Sequence, residues 1–145
     1  MKNYVKLIAV ALVAVMLLAT LVSCGSSFGG IKKNFEKNGY SYVEDADSEA
    51  TAKTITAELE EGDISCTAHL FKTEGLFGVP VYALVLEFGS DKDMQEAISE
   101  SGTIKGFISD IQDSELVNGN CLLIPISLTK AEEMTKIFNG EDIEK

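Results

Sequence analysis

The 145-residue sequence predicts an α+β fold, a single mostly antiparallel sheet with helices packed on a face. Two observations carry that expectation. Short apolar segments that alternate or run unbroken between turn signals read as strands, whereas others repeat at i, i+3, i+4 and read as helices. A hairpin signal near residue 119 and helices interleaved with the strands then favour antiparallel pairing.

In chain order, Phe28, Ile31 and Phe35 recur at helical spacing, and Asn38-Gly39 reads as a helix stop. "YSYVE" alternates as a short strand. Residues 48–60 are ambiguous. Ala52, Ile55 and Leu59 make a helical stripe, while Ile55, Ala57 and Leu59 alternate as a strand would. Asp47 and Ser48, good caps, tilt the choice to helix. "ISCTAHLFK" puts Ile64, Cys66, Ala68 and Leu70 on one face. "VPVYALVLEF" is nearly all apolar, as a central strand covered on both sides requires, with Pro80 tolerable only near its start.

The second half is better punctuated. Ser90 and Asp93 form a capping pair ahead of Met94, Ala97 and Ile98, and Gly102 ends that helix. Ile104, Phe107, Ile108 and Ile111 predict another helix. "VNGN" joins a short strand to "CLLIPI". Thr129 and Glu132 read as a capping box for a last helix, with Met134, Ile137 and Phe138 inward and Asn139-Gly140 as its stop.

The N-terminal residues carry an address. "MKNYVK" is cationic, and "LIAVALVAVMLLATL" follows, fifteen uncharged residues from Leu7 to Leu21. A bilayer span needs about 20 apolar residues, so this length fits a signal-peptide core better than a permanent anchor helix. Leu21-Val22-Ser23 leads straight into Cys24. These residues resemble the lipobox of bacterial prolipoproteins. The resemblance implies cleavage between Ser23 and Cys24, a diacylglyceryl group on the Cys24 thiol, and acylation of the new amino terminus. A thiolate is the competent nucleophile for such chemistry, and two acyl chains are what stable anchoring demands. The expected organisation is a signal peptide over 1–23, a lipid-anchored flexible linker over 24–30 ("CGSSFGG"), and one α+β domain over 31–145. The architecture vaguely resembles small envelope lipoproteins of Gram-positive bacteria, a likeness that brings no site residues.

Cleavage would leave ten lysines and all 23 acidic residues, with no arginine, for a net charge of −13. A nucleic-acid partner is excluded, because phosphate neutralisation needs a basic surface. Anionic headgroups would repel the domain, so the expected membrane contact is the lipid itself.

Few side chains suggest chemistry. The single histidine, His69, falls on the outward face of its strand by alternation and reads as solvated; a lone histidine supplies no metal-ligand spacing. Asp91, Asp93 and Glu96 lie in a helix's first turn, where the dipole favours negative charge, and lack the pattern of a calcium loop. Asp110, Asp113 and Glu115 read as solvated surface, not a glycosidase pair. No catalytic residue, metal ligand or cofactor site is assigned. Cys66 and Cys121 lie on strands, and in an oxidising compartment they are either buried thiols or a disulfide. Leu76 and Phe77, between glycines in "TEGLFGVP", form either a lid on the core, the favoured reading, or an exposed contact loop.

The function expected from these readings is a non-enzymatic binding module, lipid-anchored on the extracytoplasmic face of the cell membrane, with an envelope protein as partner. The alternatives are a small envelope hydrolase or redox enzyme, and a structural or inhibitory lipoprotein.

Overall fold

The structure, a computed structural model, describes residues 26–108, 114–127 and 129–143. Cys24, Ser23, Asp110 and Asp113 lie outside the described residues. The elements are α1 (Ser26–Lys37), β1 (Ser41–Val43), a 3₁₀ turn (Ala46–Ser48), α2 (Ala50–Glu61), β2 (Cys66–Glu74) and a second 3₁₀ turn (Leu76–Gly78). They continue with β3 (Pro80–Phe88), α3 (Asp91–Glu100), α4 (Gly102–Lys105), β4 (Val117–Asn118), β5 (Cys121–Ile126) and α5 (Ala131–Phe138). One sheet has the order β1-β2-β3-β5-β4, with every neighbouring pair antiparallel. The fold is α+β. Among the described residues, no helix is long and apolar enough to cross a membrane.

Helices cover both faces of the sheet, not one. Leu70, Leu84, Leu86, Phe88, Leu122 and Ile124 point to one side, where α2, α3 and α4 bring Ala52, Ile55, Leu59, Met94, Ile98 and Ile104 against them. Phe71, Ala83, Val85, Cys121 and Leu123 point to the other, under Ile31 and Phe35 of α1 and Met134, Ile137 and Phe138 of α5. This is why β3 is apolar on successive residues, since Ala83 to Leu86 are all fully buried.

The helix at 50–61 is the helical alternative for the ambiguous segment. Its cap is Glu49, whose carboxylate accepts from the Ala52 amide at 2.8 Å, in place of Asp47 and Ser48. Asp47 instead accepts from the Thr56 hydroxyl. The stops at Gly39 and Gly140 form as expected, each glycine at positive φ, followed by an amide bonded five residues back. Ser90 caps α3, with Asp91 and Asp93 in its first turn. Val117–Asn118 and Cys121–Ile126 make the expected hairpin about Gly119, which has φ 60°.

Three local expectations change. Ser26–Gly30, assigned to the 24–30 linker, are the first turns of α1, because Phe28 extends the Ile31–Phe35 stripe onto the sheet. The expected 104–111 helix is a single turn ending at Lys105, and Ile111 lies outside the described residues. The Thr129–Glu132 capping box does not form: Lys130 occupies the cap, Thr129 pairs with Ser127, and Glu132 faces Lys136.

Ser101, 1% exposed, closes α3 and caps α4, its Oγ accepting from the Ile104 amide at 3.0 Å. That hydroxyl donates to the Glu58 carboxylate, as does the Thr103 hydroxyl at 2.7 Å. The Ser101 bond first, then the Thr103 bond, hold the Glu58 carboxyl below its ordinary value. A group with a lowered folded-state pKa stabilises above its unfolded value and loses that contribution as pH falls through the folded one. Glu58→Gln should therefore be less stable than the parent at neutral pH, by about 1 kcal/mol. The gap should close as pH drops below 4.5, which unfolding titrations at several pH values would check.

Candidate functional site

The β2–β3 hairpin ends in an apolar tip. β2 and β3 pair without interruption from Cys66↔Phe88 to Glu74↔Pro80, so the connecting residues project from a paired ladder. The Gly75 amide donates to the Val79 carbonyl at 2.7 Å and the Val79 amide to Leu76 at 3.2 Å, closing a tight loop. A Cβ on Gly75 would come within 2.8 Å of both the Val79 carbonyl oxygen and Val81 Cγ1, so only glycine fits there. Phe77 has φ 58°, a left-handed conformation that a bulky residue rarely takes. The result is an outward display of Leu76 at 68% exposure, Phe77 at 101% and Val79 at 60%. The lid reading is thereby corrected: a short closed loop with φ > 0 at Phe77 directs the ring away from the sheet. Leu76 and Phe77 form an exposed loop.

His69 is not solvated either. It is 8% exposed, because the face it occupies lies under α1. The Phe28 ring stacks on the imidazole with centroids 3.5 Å apart and planes 16° from parallel. Nε2 lies 2.9 Å from Glu87 Oε2 and Nδ1 lies 3.0 Å from the Tyr42 hydroxyl. A carboxylate only accepts, so Nε2 carries a hydrogen, and in the neutral ring Nδ1 accepts from Tyr42. Lys32 places its ammonium 4.5 Å from the Tyr42 ring centre. An orienting acid, an imidazole and a hydroxyl thus stand in sequence, as an activated nucleophile requires. Phe28 covers the imidazole face, and in this arrangement a substrate has no approach from that side.

Nothing local joins Tyr42 to His69, because the register that brings β1, β2 and β3 together is a tertiary fact. Glu87 did carry a signal. A carboxylate inside an apolar central strand needs a partner, and His69 sits diagonally across the ladder from it.

Cys66 and Cys121 do not bridge. They lie on β2 and β5, with β3 between, so about 10 Å of sheet separates the strands, beyond the reach of a disulfide. They also belong to opposite faces. Burial, and then the charge of Glu60, push the Cys66 thiol up to about 11, so it stays protonated and weakly nucleophilic at neutral pH. Cys66 borders a groove of about 370 Å³ whose rim carries Glu44, Asp45, Asp47 and Glu60. Among the described residues, no three His, Cys, Asp or Glu side chains converge as a metal site would need. Glu115 contributes its backbone carbonyl to the Asn139 side chain. No family model, curated protein or solved structure matches the chain.

Proposed function

We propose that this is a lipid-anchored lipoprotein of the extracytoplasmic membrane face whose domain acts by contact, through the tip of the β2–β3 hairpin, and not by turnover. The carrying observation is the outward display of Leu76, Phe77 and Val79 on a closed, strained loop. Surface Phe and Leu residues are unremarkable singly, but three such apolar residues within four, on a loop closed by two backbone hydrogen bonds, support a contact role. Backbone strain of this kind persists where the surrounding structure holds it and clusters at binding sites.

Anchoring rests on the Leu21–Cys24 motif. Cys24→Ser should abolish incorporation of labelled fatty acid and leave the protein unprocessed or released; undiminished labelling would defeat the assignment.

The contact reading is tested by changing Leu76 and Phe77 together to serine. Both are exposed, so stability should move by less than about 0.5 kcal/mol. Retention of the envelope partner in a pull-down should fall at least tenfold. Phe77→Gly sharpens the test: relief of the left-handed strain should leave stability unchanged or raise it by up to about 1 kcal/mol, while retention still falls. Full retention by the double variant would remove the tip from the proposal.

The Tyr42–His69–Glu87 chain favours a second reading, a small envelope hydrolase. It requires Phe28 to swing off the imidazole, and Phe28→Ala should then raise hydrolysis of a simple activated ester. An inhibitory lipoprotein would use the same tip to occlude its partner.

A further inference from the structure

The direction of α1 says which way the tip faces. Phe28, in the first turn, lies on His69, whereas at the other end the Gly39 carbonyl accepts from the Thr73 hydroxyl. The helix therefore runs along β2 toward the tip, and the start of the described chain is at the far end. Five strand steps, about 17 Å, separate His69 from Glu74, and the apolar loop lies beyond that. Helix α1 begins two residues after Cys24, and Phe28 is packed, so little slack remains between the proposed lipid and the domain. An anchor at that end holds the tip on the side of the domain away from its own bilayer.

The chemistry of the tip narrows what meets it. Leu76, Phe77 and Val79 offer no side-chain hydrogen bond, and the Gly75 and Val79 amides are already bonded within the loop. A glycan needs polar contacts, and the three exposed side chains of the tip supply none, the polar groups Lys72, Thr73 and Glu74 lying below them at its base. Two copies of this chain, each at −13 beyond residue 23, repel one another. Glu74, whose carboxylate oxygen reaches the loop at Gly78, lines the groove at the base of the tip together with Lys72, and the chain beyond residue 23 carries its large excess of negative charge behind them. We infer that the tip docks into an apolar cleft with a basic rim on a protein that faces the anchored domain from the side away from the bilayer. This rests on the proposed anchor and the proposed contact function. An aromatic ring seated in such a cleft is the usual centre of a contact, and a rim charge chiefly speeds and orients association.

The test puts a benzophenone amino acid at position 77 of the full-length chain and irradiates intact cells. The expected result is one protein adduct, formed neither by a protein carrying the probe at Lys53 on α2 nor by one with Cys24→Ser. Its yield should fall severalfold on Glu74→Lys and on raising the salt. A phospholipid adduct, or one of twice the chain's mass, would overturn the inference while leaving the tip as the contact site. So would a protein adduct indifferent to Glu74→Lys and to salt. Absence of any adduct at position 77, with the chain anchored and folded, would overturn the inference and the contact function together. The chain has no tryptophan, so Phe77→Trp gives a single indole reporter. In vesicles of phosphatidylcholine and phosphatidylglycerol carrying the anchored protein, its emission should stay that of a water-exposed ring; a blue shift with quenching by brominated lipid would place the tip in the bilayer and overturn the inference.

Discussion

Replacing Phe71 with alanine should destabilise the domain by about 3–5 kcal/mol, a large share of the roughly 5–15 kcal/mol that holds a domain of this size together. Phe71 is fully buried and joins three elements. It stacks on Phe35 of α1 at 4.7 Å, meets Tyr42 of β1 edge-on at 5.5 Å, and lies 6.3 Å from Phe28. Truncation leaves a cavity that two helical aromatics and a strand cannot all close. Urea unfolding would measure the loss, and Phe71→Leu, which keeps most of the volume, should restore more than half of it. A loss under 1 kcal/mol would mean that α1 is not seated as described.

His69→Ala should cost about 2–3 kcal/mol, although the residue plays no part in the proposed contact. Its removal strips Tyr42 and Glu87 of their partner and deprives Phe28 of the surface on which it stacks. Glu87 can take up water, since about a third of its side chain is exposed, so the loss falls mainly on Tyr42 and the first turn of α1. His69→Phe keeps a ring under Phe28 without the hydrogen bonds and should recover part of the stability. Amide exchange at Ile31 and Lys32 should quicken in His69→Ala and much less in His69→Phe. Unchanged exchange in both would detach the network from the seating of α1. Partner retention should persist in either variant at temperatures where it stays folded, because the tip lies beyond the network.

Most elements were legible because their signals are local. Ser90 before Asp93, glycines after Asn38 and Asn139, and the alternation of Ile64, Cys66, Ala68 and Leu70 each determine structure within a few residues. The unbroken apolar run of β3 even announced that both faces of the sheet would be covered. What failed depended on parts distant in sequence. Alternation correctly put His69 opposite Leu70, but could not say that α1 would cover that face. Two strand cysteines looked equivalent until the order β2-β3-β5 set them apart. Glycines around Phe28 suggested slack chain, and the apolar stripe prevailed: a Cβ at Gly29 or Gly30 would meet nothing within 4 Å, so these residues lie on the outer side of the helix. For Leu76 and Phe77, the lid-or-contact choice turned on a single backbone angle, which composition does not encode.

The sheet's margins bear on how copies of the molecule behave when crowded together. β1 pairs over three residues only and β4 over two, so neither of these outer strands itself offers a long ladder of open amides and carbonyls to another chain. β2 runs past the reach of β1 at both ends, over Cys66–His69 and over Thr73–Glu74, and the longer of these, at Cys66–His69, is where an intruding strand could add on. Glu44, Asp45 and Asp47 stand beside that opening. Any copy of this strongly acidic chain that tried to extend the sheet there would bring its own negative charge against theirs. Replacing these carboxylates by neutral residues should therefore show first as a tendency to form β-rich aggregates.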